Sequence, residues 1–268
     1  MEVWRWIDSG SAAGATQMAT DRAILDCINK TGTVVFRVYQ WHPCCISLGF
    51  RQPKDIINYK KCSEDKIDIV QRPTGGRAVF HAQEVTYSVI IPNTSKFFSS
   101  GIQKIYKIIS QGLAKGIQKL GVPADLQRHK IDLRSHYKKS VSVNCFSAAA
   151  SSEVMVEGKK IIGSAQRHLD KGVLQHGSIL TGDKHLELPY YLINLDEDKV
   201  SAMIRYLKSQ TVSIGGYLKK NVTYEEVAEA VKEGMKEELH IEFQDDEMTS
   251  EENAKVSELQ NEFTILSY

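Results

Sequence analysis

No run of about eighteen apolar residues occurs in the 268-residue chain, so no stretch reads as a membrane span. The first ten residues, MEVWRWIDSG, lack the charged-then-apolar pattern of a signal peptide and read as a strand. An excess of charge of either sign is missing too. Thirty-four Lys and Arg stand against 33 Asp and Glu, a formal net charge of +1, which argues against polyanion binding by bulk electrostatics. Cysteine is sparse and odd in number: Cys27, Cys44, Cys45, Cys62 and Cys145, with no CxxC pair. Neither a disulfide framework nor a zinc knuckle is indicated, and reduced thiols in a cytoplasmic protein are expected. There is no GxxxxGK[ST] loop and no GxGxxG, so the common nucleotide-binding folds receive no support. What is present is ordinary for a globular protein, with 42% hydrophobic and 25% charged residues and enough length for a substantial core.

Alternation of apolar and polar residues predicts strands over Val3–Asp8, Thr33–Tyr39, Cys45–Gly49, Ile67–Gln71 and Val85–Ile91. Apolar residues at spacings of three and four predict helices over Ala15–Ile28, with Gly32 beyond its end, and over Phe97–Leu120. A short helix is expected from Gln52-Pro53 to Tyr59, and another within Leu195–Lys208. Thr223…Glu226 and Thr249…Glu252 are capping boxes that open two further helices, to about Leu239 and Gln260. Leu126–Ser142 is polar and basic without periodicity. Lys184–Asp198 and Gln244–Glu252 have the composition of linkers. Strands and helices intersperse without regular βαβ alternation, which favours an α+β or mixed topology. One domain over 1–268 is expected, with a helical C-terminal subregion from about 195.

Two stretches carry chemistry. In Arg72 to His81, adjacent Gly75 and Gly76 follow a strand, where they admit backbone angles closed to other residues and let a ligand approach the amides. Arg72 and Arg77 flank the turn and are placed to hold an anion; the alternative is a plain hairpin with solvated arginines. In Asn144 to Leu180, Cys145 follows a polar run. Two β-type segments, Glu153–Glu157 and Lys160–Arg167, meet at a Glu-Gly-Lys hairpin turn, and the second delivers Gly163-Ser164-Ala165. A cationic Lys160 near Cys145 would favour the thiolate, the form that attacks carbonyls. By itself a cysteine is more often a buried small hydrophobe, and a strand lysine more often faces water. His81, His168 and His176 are possible bases or structural histidines.

On these motifs the chain resembles the biotin/lipoate protein ligase superfamily, and within it the LipM-type octanoyltransferases (lipoate-protein ligase A-like). QRPTGGRAVFH is similar to that family's RR-x-x-GG-x-A-V-x-H element, VEGKKIIGSAQ to its G-x-K-x-x-GSAQ element, and GVLQHGSIL to the strand that follows. SLGFRQ and WRWIDSG fit as well, and Cys145-Phe146 precedes Lys160 as in that family; Ala82 stands where Asp usually follows the histidine. The resemblance implies an α+β fold, a central mixed β-sheet flanked by helices, with an acyl tunnel between the glycine motif and the GSAQ strand. It implies an octanoyl-[acyl carrier protein]:protein N-octanoyltransferase of lipoate biosynthesis. In that reading Cys145 takes octanoyl from acyl carrier protein as a thioester, Lys160 lowers its pKa and contacts the acyl carbonyl, and the acceptor is the lysine of a lipoyl-domain protein, either the glycine-cleavage H protein or a 2-oxoacid dehydrogenase subunit. Substrate binding would fall to Arg72, Gly75, Gly76, Arg77, His81, Gly163, Ser164, Ala165, His176 and Gly177. No cofactor, metal, nucleic acid or membrane is implied. The competing readings are an amidotransferase between lipoyl domains, an ATP-dependent lipoate ligase and a non-catalytic lipoyl-binding module.

Overall fold

The computed structural model describes residues 1–127 and 152–268. Its strands in chain order are β1 (Glu2–Ala12), β2 (Val35–Trp41), β3 (Cys45–Leu48), β4 (Asp68–Gln71), β5 (Val79–His81), β6 (Glu84–Pro92), β7 (Asp125–Gln127), β8 (Glu153–Val156), β9 (Lys159–Leu169), β10 (Gly172–Leu180), β11 (Ile241–Asp245) and β12 (Thr264–Leu266). The helices are α1 (Gly14–Thr31), α2 (Tyr59–Glu64), α3 (Ile102–Lys119), α4 (Glu197–Gln210), α5 (Ile214–Leu218), α6 (Tyr224–Leu239) and α7 (Ser250–Phe263). Among the described residues an eight-stranded sheet runs β11-β1-β2-β6-β10-β9-β8-β7 and a four-stranded sheet runs β12-β4-β3-β5. In the large sheet β1 pairs in parallel with β2 and β11, while β2–β6, β6–β10 and β10–β9 are antiparallel, so the sheet is mixed, as expected.

Alternation along the strands gives the large sheet two different faces. Trp4, Trp6, Phe36, Val38, Val85, Tyr87, Val89 and Ile91 pack on one side with Ile105, Ile109 and Leu113 of α3 and Val227, Val231 and Met235 of α6. Each large side chain buried there contributes about 1.5–3 kcal/mol. The two helices approach until their backbones touch: a Cβ on Gly234 would stand 2.2 Å from the backbone nitrogen of Gly116. The other face receives Ile7, Val35, Ile90 and Leu174, packed with Ile24, Leu25 and Ile28 of α1. Helix α1 ends as the sequence predicts, Gly32 taking φ 65° and returning its N–H to the Ile28 carbonyl.

The hairpin between β8 and β9 turns on Glu157 (φ 49°) and Gly158 (φ 79°), a turn whose left-handed pair matches the twist of the flanking strands. Both capping boxes form, at Thr223/Glu226 and Thr249/Glu252. Four local expectations are corrected. The helix near residue 55 begins at Tyr59, because the Asn58 side chain caps it by accepting from the Lys61 N–H; before it stands only a 3₁₀ turn at Lys54–Ile56. Helix α3 starts at Ile102, since Gly101 at φ 85° separates it from a 3₁₀ turn at Phe98–Ser100. The stretch after Asp183 is not linker: Lys184–Tyr191 is a 3₁₀ helix that buries Leu188 and Tyr191 against Ile46, Ile57 and Phe80. The C-terminal region is not purely helical, because β11 extends the large sheet beside β1 and β12 the small one beside β4. No helix among the described residues is long and apolar enough to cross a membrane.

Candidate active site

Where the small sheet packs against the α1 side of the large one, a pocket of about 360 Å³, its open mouth included, remains between them. Ser47 of β3, Val79 and His81 of β5, and Arg72 just after β4 face it from the small sheet. Tyr39, Trp41, Thr86, Gly163, Ser164, Ala165, His176, Gly177 and Ser178 face it from the large sheet, and Met18 lines it from α1. The lining combines apolar and aromatic walls with a few fixed polar groups, the make-up of small-molecule sites. Small residues on β9 leave this opening. Gly163 pairs with Ser178 and Ala165 with His176, so the central strand pair supplies a wall with little side-chain bulk.

Two buried polar chains hold the walls. In the first, Arg72 Nη1 donates to Ser47 Oγ (3.1 Å), Ser47 Oγ meets His81 Nε2 (2.7 Å), and His81 Nδ1 meets Glu84 Oε1 (2.7 Å). Thr86 and Ser178 donate to the same carboxylate, and Trp41 Nε1 donates to Thr86 Oγ1 (2.7 Å) while its ring stacks on His81 at 4.1 Å. Burial alone would raise the Glu84 pKa; the His81 charge and the three hydrogen bonds outweigh it and hold the carboxyl below its ordinary value. An ionised Glu84 keeps a proton on His81 Nδ1, so Nε2 is the nitrogen turned to Ser47 and the pocket.

The second chain centres on Asp21 of α1. It pairs with Arg37 (2.7 Å) and accepts from Ser88 (2.7 Å) and Tyr39 (3.2 Å), and its other contact is His176 Nδ1 (3.3 Å). Arg37 also donates to Gln17 and Ser9. Desolvation pushes Asp21 upward, but Arg37 and His176 pull it below the ordinary aspartate range. For His176 desolvation wins over Asp21, the imidazole pKa is lowered, and the ring is neutral at pH 7 with Nε2 toward Thr74 Oγ1 (2.5 Å).

The residues read from the motifs divide into groups. Arg72, His81, Gly163, Ser164, Ala165, His176 and Gly177 line the pocket together. Gly75 and Gly76 form the exposed turn beside it, Gly76 at φ 96°, and Gly76's carbonyl lies so close to Gly49 that a Cβ there would stand 2.0 Å away. Arg72 is buried and donates to the carbonyls of Ser47 (2.9 Å), Gly75 (2.9 Å) and Arg77 (2.7 Å), shaping the turn from inside. Arg77 is half-buried and lies outside the described lining. Lys160 does not face water; it is 4% exposed and pairs with Glu153 of β8 at 2.6 Å, and it is not among the described lining residues. His168 packs on Phe98 at the far end of β9, away from the pocket. Cys145 lies outside the described residues.

Met18, Tyr39, Trp41, Ser47, Val79, Thr86 and Ser178 complete the lining without having been read as site residues. The available signal was Arg37 inside the apolar run VVFRVYQW and Asp21 on the apolar stripe of α1, charges at positions the pattern assigns to the interior. Among the described residues no group of three or more His, Cys, Asp and Glu is placed to hold a metal ion.

Residues 13–236 match the sequence model of the family described as "Lipoyl protein ligase A/B catalytic domain". The Octanoyltransferase LipM of Geobacillus kaustophilus is 37% identical over 267 residues, covering 96% of this chain and 94% of that protein. That of Bacillus subtilis is 35% identical, with 94% and 91% covered. Among solved structures, a lipoate-protein ligase A bound with ATP superposes with a TM-score of 0.73 at 20% identity, covering 97% of this chain and 95% of that one. A bi-partite lipoate protein ligase from Thermoplasma acidophilum superposes with a TM-score of 0.76 at 19% identity, covering 97% and 93%. At that identity the structures speak for the fold.

Proposed function

The chain belongs to the lipoyl protein ligase A/B catalytic-domain family, on its LipM-type octanoyltransferase branch, and from that premise we propose that it moves an octanoyl group from acyl carrier protein to the lysine of a lipoyl-domain protein. The reading is supported by near-full-length similarity to proteins named for that transfer. In the structure, the single observation that carries it is the walled pocket between the glycine turn and Gly163-Ser164-Ala165, with apolar and aromatic sides suited to a short acyl chain.

The chemistry needs two displacements. The Cys145 thiolate attacks the octanoyl thioester, a new carbon–sulfur bond forms, and the carrier's thiolate leaves and takes a proton. The acceptor lysine then attacks the acyl-enzyme as a neutral amine; the amide bond forms, Cys145 departs as thiolate, and the amine's proton passes to a base. In this reading Lys160, paired with Glu153 on the neighbouring strand, is the cation assigned to the acyl carbonyl. The backbone of the Gly163–Ala165 wall allows the chain to lie close against it. The glycine-cleavage H protein and dehydrogenase lipoyl domains are the acceptor candidates, and the cytoplasm is where both substrates would be met.

The deciding experiment is intact mass after incubation with octanoyl-acyl carrier protein without ATP. The expected result is one octanoyl adduct, released by hydroxylamine and lost in Cys145→Ala. Acylation that requires ATP with free octanoate or lipoate would assign the chain to the ligases instead.

A further inference from the structure

The pocket's walls differ in how firmly they are held. Tyr39 is fixed by its hydroxyl on Asp21 and by the Arg37 guanidinium 4.0 Å over its ring. Trp41 is fixed by Thr86 and by stacking on His81. Ser47, Arg72, His81, His176 and Ser178 all sit in the hydrogen-bonded chains described above. Gly163, Ser164, Ala165 and Gly177 are sheet backbone with little side chain. Two lining residues among those described hold their place by packing alone, Val79 and Met18. Val79 belongs to a side wall, packed with Leu180 and Leu207.

Met18 is different in kind. It is the one described lining residue that comes from a helix, and it is fully buried at 1% exposure. Helix α1 can reach that far because its first residue is a glycine: a Cβ on Gly14 would stand 2.6 Å from Cys45 Sγ and 2.9 Å from Val70 of the small sheet. The position is fixed further by the Gly14 N–H, which donates to the buried Asp68 carboxylate (2.9 Å). Behind Met18 there is packed core, with Ala15, Ala19, Val70, Leu259 and Phe263 in the same cluster. By contrast Gly163, Ser164 and Ala165 are partly exposed and the turn at Gly75 and Gly76 is open to solvent. The pocket therefore has a mouth at β9 and an end at Met18.

We propose that Met18 is the ruler that sets the acyl chain length, its thioether meeting the terminal methyl of the octanoyl group. The inference rests on the octanoyl-transfer reading and on the chain entering this pocket. Apart from Val79 on the side wall, the other described lining residues are held by hydrogen bonds or are sheet backbone, so the depth of the site is governed by this one unbranched, adaptable side chain. In a hydrophobic site one methylene changes selectivity by roughly 10- to 200-fold, so moving the end wall by two or more carbons redistributes preference rather than merely weakening it.

The test measures thioester formation on the full-length protein by competition among hexanoyl-, octanoyl-, decanoyl- and dodecanoyl-acyl carrier protein. Met18→Ala is expected to raise the dodecanoyl-to-octanoyl ratio at least about tenfold, and Met18→Phe to raise the hexanoyl-to-octanoyl ratio by a similar factor. If Met18→Ala melts too low to assay, Met18→Val gives the same direction with a smaller shift. Unchanged ratios in folded, acylated variants would overturn the ruler while leaving the transfer reading standing. Thermal shift with hexanoate, octanoate, decanoate and dodecanoate separates the other case. If wild type accepts no acyl group from any carrier, but the preferred fatty acid still moves with Met18, the transfer reading fails and the ruler survives as a property of the pocket. If neither readout responds, both fall.

Discussion

On β2, Phe36 and Val38 enter one face of the large sheet, while Val35, Arg37, Tyr39 and Trp41 enter the other. The same alternation repeats on β6, where Val85, Tyr87 and Val89 oppose Glu84, Thr86 and Ser88. The face under α3 and α6 is closed by apolar packing and by helix backbones in contact at glycines. The face under α1 carries Arg37, Asp21, Glu84 and His176 in its interior, each satisfied by neighbours, and it is the face with the pocket. Burying charges is expensive, and replacing a satisfied set with hydrophobes is often neutral or stabilising. The α1 face thus gives up stability that the opposite face retains. What it gains is a set of walls that cannot rotate, around a space the helix does not fill. Four perturbations test that division.

The largest effect is expected from Arg37→Leu. It leaves the Asp21 carboxylate buried with its main cation gone, a change that costs about 3–5 kcal/mol. Urea unfolding should show that loss, and acyl capture should fall with it, since Tyr39 and His176 both lean on Asp21. Adding Asp21→Asn to the variant should recover part of the stability, because a buried amide is cheaper than an unpaired carboxylate. A cost below about 1 kcal/mol would mean the α1 face is not organised by this pair.

Gly234→Val attacks the other face. Its Cβ would meet Gly116 backbone, which has no flexible end to move aside, so α3 and α6 must part; overpacking of this sort costs about 1–3 kcal/mol. The melting temperature should drop by roughly 2–4 °C per kcal/mol for a chain of this size, while acyl capture per folded molecule stays at the wild-type level. An activity loss exceeding the stability loss would show that the two faces are not independent.

The apolar face was legible in the sequence and the polar one only in part, for a physical reason. Local patterns are written in neighbouring residues: the Ile105, Ile109, Leu113, Ile117 stripe, the Glu157-Gly158 turn and the two capping boxes each follow from positions at most a few turns apart. The motif residues Arg72, His81, Gly163, Ala165 and His176 were found, and they do converge. The partners that hold them were not: Asp21 reaches His176 from α1, Ser47 reaches Arg72 and His81 from β3, and Thr74 reaches His176 from the glycine turn, at separations that no local pattern marks, while Glu84, only three residues after His81, does not declare in sequence which way it faces. Strands β11 and β12 escaped for the same reason. Each is short and flanked by charge, and its pairing reaches from Ile241 to Glu2 and from Thr264 to Val70. In sequence an arginine beside a glycine turn looks the same whether it faces a ligand or the turn's own carbonyls, so the bonds of Arg72 to Ser47, Gly75 and Arg77 were not legible.

Acid should separate the faces more gently. The Asp21, Glu84 and Glu252 carboxyls all lie below their ordinary values in the folded protein, although burial pushes each upward, because Arg37, His81 and Arg5 respectively outweigh it. Their stabilisation is complete above the ordinary carboxyl range and is lost as pH falls through the folded values. His176 is shifted down by burial, so the unfolded chain takes up a proton that the folded chain refuses, and stability begins to fall already as pH drops through about 6.5. Hydrogen exchange, corrected for intrinsic rates, should show α1 losing protection between pH 7 and 5 before α3 and α6 do. Simultaneous loss in all three helices would argue that acid acts on the fold as a whole.

The smallest effect concerns the one polar group on the apolar face that touches the pocket wall from behind. Tyr87 packs among Phe36 and its neighbours, yet its hydroxyl meets Ser164 Oγ (2.7 Å) and accepts from Gln175 Nε2 (3.0 Å). Burial pushes the phenol up to about 12 despite those two bonds, so it remains neutral across the working range and serves as a fixed strut. Tyr87→Phe keeps the ring and its packing, and removes only that strut. The expected loss is about 1 kcal/mol, the ordinary net value of a buried hydrogen bond, with no change in the pH profile of unfolding. The informative readout is acyl capture. Ser164 lies between Gly163 and Ala165, the two residues whose faces form the wall, and freeing its hydroxyl lets that segment shift. A slowed capture with an unaltered preference for octanoyl would mean that the apolar face lends the pocket rigidity through a single contact. Capture at the wild-type rate would confine Tyr87 to the core and make the division between the two faces complete.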